Sequence, residues 1–192
     1  MTRKNHKRGF NLIEAAIVLG VVGLVIGGIW VAAATVMENM KVNETVDGIL
    51  LTSKNLQNLI SVKDSASMTE PVYFWNGIIA ANVFPQGWVK AQSGANAVIN
   101  PYGGTVSIAN NDGYFEMYIG NIPGDACIKL LTKISLIAGQ TLQNAGTFDG
   151  GSLFSYTTTF PITLEDATDS CSPALSSGGE SVFFFFNYTR TN

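Results

Sequence analysis

Histidine is almost missing from this 192-residue sequence, which holds one copy, His6. Beyond the first few residues no histidine-dependent triad and no histidine-ligated metal site can be built. The sequence has neither a G-x-x-x-x-G-K-[ST] phosphate loop nor an H-E-x-x-H pair, which removes two familiar routes to phosphate and zinc chemistry. These absences argue against an enzyme, and no cofactor and no metal are expected. Proline is absent before Pro71, so no ring interrupts a helix in that stretch. Charge is scarce as well: 13% of residues are Asp, Glu, Lys or Arg, and none stands between Ala15 and Met37. The net charge of −3 is made with a basic amino terminus, so a basic face for nucleic acid is not expected.

What is present begins with that uncharged run. At about 23 residues it can cross a bilayer as a helix, which needs roughly 20. Arg3, Lys4, Lys7 and Arg8 precede it, and cationic flanks stay cytoplasmic, so the remainder is expected to be exported. A secretory signal peptide would be cut after its apolar run, at an A-x-A-like site. Here the only site of that general kind lies before the run, at Gly9-Phe10.

Lys7, Arg8, Gly9, Phe10, Leu12, Ile13, Glu14, Ile17, Val18, Leu19, Gly20 and Gly23 together resemble the opening of type IV pilins. The resemblance implies a leader, residues 1–9, removed after Gly9 by a prepilin peptidase that also methylates the new amino terminus, Phe10. Gly9 lacks a Cβ and can be held extended against a peptidase. A carboxylate near the bilayer centre costs about 2.5–3.5 kcal/mol and less at the interface, so Glu14 asks for compensation. The resemblance implies that it neutralises the amino terminus of a neighbouring subunit during assembly; alternatively it sits at headgroup level and snorkels. Gly20, Gly23 and Gly27 lie ahead of Gly28, and Gly23-x-x-x-Gly27 has the spacing that lets membrane helices approach closely. Glycine is also common in membrane helices generally, and spacing alone leaves both readings open. Unlike many pilins, the chain has no proline in this helix.

After Met37 the pattern becomes amphipathic. Val42, Val46, Ile49, Leu50, Leu56, Leu59 and Ile60 recur at three- and four-residue steps between Lys41, Glu44, Asp47, Lys54 and Gln57. One long helix is expected over residues 10–62, membrane-spanning over about 12–37, with its second half laying an apolar stripe on a globular domain. That domain is expected to fill residues 63–192 with an antiparallel sheet, giving an α+β class, the pilin fold. Pro85-Gln-Gly87 and Asn100-Pro-Tyr-Gly-Gly104 are turn signals, and a short helix is expected near residues 76–82. Strands are expected over Thr105–Ala109, Tyr114–Ile119, pieces of Leu153–Leu164, and Ser181–Tyr188. Val182-Phe-Phe-Phe-Phe186 is too apolar for a sheet edge and is expected in the interior. A helix is expected from Gly124-Asp125 to about Ala138, capped by Asp125, with Ile128, Leu130, Leu131 and Ile134 on its apolar face.

Asn100–Thr105 and Ile122-Pro-Gly-Asp-Ala-Cys127 resemble the globular domain of type IVb pilins of the thin-pilus and toxin-coregulated kind. The short leader and Phe10 depart from that subclass and look like type IVa. Both cysteines, Cys127 and Cys171, fall in the exported part, where an even count argues for a disulfide; the competing reading is a reactive thiol. Glu165, Asp166 and Asp169 cluster ahead of Cys171 and read as a solvated loop, with a calcium site as the alternative. Asn43-Glu-Thr45 and Asn187-Tyr-Thr189 match the glycosylation sequon and are read as chance.

The expected function is a structural subunit that polymerises with itself. It would be held in the inner membrane as a precursor, served by prepilin peptidase and the pilus assembly machinery, and displayed as a surface pilus for adhesion, aggregation, conjugation or motility. A minor pilin or secretion-system pseudopilin shares the same opening, and a single-pass anchored periplasmic binding domain is the alternative from another class.

Overall fold

The computed structural model describes residues 12–62, 77–92, 95–110, 114–149, 152–157, 159–172 and 180–187. The chain divides into two compact units, Met1–Met40 and Lys41–Asn192. The first long element is α1, Leu12–Val62. No proline falls inside it, and its four glycines from Gly20 to Gly28 do not break it, because helix propensity is a weak preference that a long run of good neighbours outweighs.

In the first unit every described residue belongs to α1, and none is buried. Leu12 is 86% exposed and Trp30 73%. Among the described residues this is the one helix long and apolar enough to cross a membrane.

In the second unit the residues of α1 from Lys41 onward carry a stripe that is almost completely buried: Val42, Val46, Ile49 and Leu56. Their spacing keeps them on one side of a helix. Thr45 and Thr52 are buried beside them, and each hydroxyl donates to the carbonyl four residues earlier, Lys41 O at 2.8 Å and Gly48 O at 2.7 Å. Those bonds satisfy groups that would otherwise be costly inside an apolar core. Asn55 Nδ2 donates to Val83 O at 3.1 Å and Gln57 Nε2 to Asn187 O at 2.8 Å, tying the helix to the following loop and to the last strand.

A helical turn at 77–80 leads to a separate hairpin of β1, Val89–Gln92, and β2, Ala95–Val98. The main sheet contains β3, Val106–Asn110, β4, Tyr114–Ile122, β5, Leu142–Asp149, β6, Ser152–Thr157, and β7, Glu180–Asn187, in the order β3-β4-β7-β5-β6. All of its pairings are antiparallel. The described residues of the unit also include two longer helices, α2, Gly124–Ala138, and α3, Leu164–Ser170.

The last strand is thus the centre of the sheet, as its run of phenylalanines requires. Val182, Phe184 and Phe186 point into the core and pair in register with Ile119, Met117 and Phe115 of β4. Phe115 and Phe186 stack at 5.4 Å. Burying each such ring stabilises by roughly 1.5–3 kcal/mol. The other face of the same strands is aromatic too: Phe183 contacts Phe185 at 5.0 Å and Tyr118 at 6.2 Å, and Tyr118 meets Phe148 edge-on at 5.7 Å.

Five features differ from the sequence-based expectations. The hairpin of β1 and β2 lies outside every expected strand, and cross-strand pairing makes strands of its two short segments. β5 is a strand although Gln143, Asn144 and Gly146 disfavour one; pairing with β7 on one side and β6 on the other supplies what propensity does not. Leu164 begins a helix rather than ending a strand, and Glu165, Asp166 and Asp169 stand on α3 rather than in a loop. Its cap is Thr163, whose Oγ1 accepts from Asp166 N at 3.2 Å and donates to Asp166 Oδ2 at 2.7 Å. Asp125 does not cap α2; Pro123 holds that position, with no side-chain bond, and Asp125 sits in the first turn, where its charge still suits the helix dipole.

Candidate functional site

The residues with an expected assembly role lie at the amino end of α1. Gly9 and Phe10 fall outside the described residues. Glu14 stands in the first turn of α1 and is exposed; a carboxylate there is favoured by the positive end of the helix dipole. At 100° per residue Gly20, Gly23 and Gly27 share one side of the helix, and Glu14 lies on nearly the opposite side. A Cβ built on any of these three glycines would meet nothing within 4 Å. A single chain therefore offers two different contact features from one helix: a bare backbone strip, and an isolated carboxylate among apolar side chains. Among the described residues of the first unit, all of which belong to α1, Glu14 is exposed and the glycine strip is uncovered.

The cysteines are brought together by tertiary structure. Cys127 in the first turns of α2 and Cys171 just past α3 are bonded, with Cα atoms 5.9 Å apart and a sequence separation of 44. Both are fully buried. Thr147 of β5 donates its hydroxyl to Ser170 O at 2.7 Å, and Ser135 Oγ of α2 accepts from Ile162 N at 3.0 Å. The disulfide and these two bonds hold a seven-residue helix that is too short to be stable alone.

The sequence marks Asn100 only as part of a turn, and its role in the structure is larger. Its side chain is buried, donates to Gly120 O at 2.7 Å and accepts from Tyr102 N at 2.7 Å and Gly104 N at 3.3 Å. One side chain thus closes its own turn and fastens it to the far end of β4. Gly104 comes so close to Gly120 O that a Cβ has no room, which explains why the turn ends in glycine.

On the outer face of the sheet Tyr118 donates its hydroxyl to Glu116 Oε2. Burial, and then the bond to Glu116, push the Tyr118 phenol well above its ordinary value. Glu165 and Asp169 are exposed on α3 while Asp166 is engaged with Thr163, and among the described residues no group of three His, Cys, Asp or Glu is placed to hold a metal ion. Of the two sequon asparagines, Asn43 accepts from Lys133 Nζ at 2.7 Å and the Asn187 carbonyl accepts from Gln57.

A family model described as PilS N terminal matches residues 38–185. Among solved structures the chain is similar to the crystal structure of type IV b pilin from Salmonella typhi, with a TM-score of 0.56 and 18% identity over 76% of this chain and 98% of that one. At that identity the likeness shows a shared fold. No curated protein matches.

Proposed function

The chain belongs to the PilS N terminal family of type IV pilins, and from that premise we propose that it is the structural subunit of a type IV pilus. The family match begins at residue 38 and so leaves the amino-terminal residues to chemistry. The precursor is held in the inner membrane by the apolar part of α1, cut after Gly9 by prepilin peptidase and methylated on Phe10. The pilus machinery then lifts it into a filament, which is displayed on the cell surface.

The observation that carries this reading is the contrast along one helix. Its first part presents Leu12, Leu24 and Trp30 exposed, whereas Val42, Val46, Ile49 and Leu56 further on are buried within the second unit. A surface of that apolarity must be covered by lipid or by other copies. Lipid covers it in the precursor and neighbouring helices cover it in the filament, where Glu14 of one subunit neutralises the Phe10 nitrogen of another and sets the stagger. The small faces of Gly20, Gly23 and Gly27 allow close approach of helix backbones.

The test is the intact mass and amino-terminal sequence of the protein from its own cells. A start at Phe10 with one added methyl group supports the processing; a start at Met1 in cells with active prepilin peptidase overturns it. Recovery in sheared surface fibres as the abundant component separates a main subunit from a minor pilin or a pseudopilin.

A further inference from the structure

Among the described residues of the second unit, four large apolar side chains are exposed: Leu51 on α1, Leu136 and Ile137 in the last turn of α2, and Leu164 at the start of α3. Three of them stand in matching charge patterns. On α1, Glu44, Asp47 and Leu51 are exposed and follow at three- and four-residue steps, so they share one face. On α2, Lys129, Lys133 and Leu136 follow at four- and three-residue steps and also share a face, with Ile137 at its border. In each helix the first charge lies seven residues before the leucine, about 10.5 Å along the axis at 1.5 Å per residue.

We propose that the α2 face of one copy packs in parallel on the α1 face of a second copy of this chain. Leu136 and Ile137 cover Leu51, and Lys133 stands opposite Asp47. This contact rests on the filament reading above. Charge selects the occupant and the direction. Glu44 and Asp47 have no ion-pair partner among the described residues of their own chain. Lys133 donates to Asn43 of its own chain at 2.7 Å, and its ammonium keeps two further donors. In the antiparallel arrangement, with the leucines still together, Lys133 would meet the exposed Lys54, and like charges in contact are unfavourable. Such rim charges set orientation and register more than affinity. Made head to tail, with one neighbour engaged through α1 and another through α2, the contact propagates from copy to copy.

The test uses the full chain in its own cells, carrying Leu51→Cys and Leu136→Cys together, with sheared filaments treated by a short bis-maleimide and run on a reducing gel. The expected result is a ladder of covalent multimers, at least tenfold above a Leu51→Cys, Lys90→Cys control. Filaments without a ladder overturn the contact alone, and a product that stops at dimer overturns its open-ended form. A wild-type chain that makes no fibres overturns the filament reading and this contact with it. As a second measurement, Asp47→Lys and Lys133→Glu should each lower fibre yield at least tenfold, and the two together should restore it. A double variant as poor as the singles overturns the charge pairing.

Discussion

Trp88 packs directly against the backbone of α1 at Gly48. A Cβ at that position would stand 2.8 Å from Trp88 Cε2 and closer still to two other atoms of the ring. Trp88 is 2% exposed, and its Nε1 has no hydrogen-bond partner among the described residues, so the indole contributes through packing. Gly48→Ala sets two effects against each other. Alanine favours the helix by roughly 1 kcal/mol, whereas overpacking a rigid ring costs about 1–3 kcal/mol. The clash should win because the backbone of a paired helix and a buried indole have little room to yield. A lower midpoint in thermal unfolding is expected, and an unchanged or raised midpoint would contradict this packing.

Gly23→Leu and Gly27→Leu should behave in the opposite way. Nothing lies within 4 Å of a Cβ at either site, so the unfolding midpoint should stay at the wild-type value. If the glycine strip is where helices approach in a filament, fibre yield should fall severalfold in sheared preparations. Normal fibres from both variants would remove the strip from the assembly account.

Glu14→Ala leaves an apolar helix that inserts in the membrane at least as well as the wild type, since an ionisable group has been removed. Membrane fractionation should find the chain in place and processed. Fibres should be lost, and normal piliation would end the assembly role proposed for Glu14.

Replacing both Cys127 and Cys171 by serine should cost about 4 kcal/mol in the chain-entropy treatment of a loop of this length, less if the unfolded chain keeps structure. Denaturant unfolding of the oxidised and doubly substituted chains measures the difference. The loss should appear first around α3, which is held by the bond and by Thr147 and Ser135, and hydrogen exchange would locate it.

Tyr118 should resist ionisation. Burial, and then the bond to Glu116, raise the phenol above its ordinary value, so the folded state favours the neutral ring. The sign follows: the contribution is fully present below the unfolded value near 10, and is lost as pH rises through the higher folded value. Alkaline titration at the phenolate absorbance should show one tyrosine appearing only with unfolding, and that late step should vanish in Tyr118→Phe.

The sequence by itself determined the features that depend on near neighbours along the chain. The uncharged run, the three- and four-residue steps from Val42 to Leu59, the glycine turns and the helix from Gly124 all follow from local periodicity or from residues with special backbone geometry. The run Val182–Phe186 was likewise enough to place β7 inside the sheet, because so apolar a strand cannot lie at an edge. Tertiary structure alone decided the rest. Leu142–Asp149 becomes a strand because Ala145, Gly146 and Thr147 find partners in β7, some forty residues further along in sequence. Glu165–Asp169 is held as helix because a disulfide from α2 fastens its end and Thr147 of β5 bonds the Ser170 carbonyl. The matching faces of α1 and α2 were likewise invisible until burial showed which side of each helix the core had taken. The physical reason is common to all three: a weak local preference is overruled when distant parts of the chain supply hydrogen bonds and buried area, and pairings across such separations leave no periodic trace in the sequence.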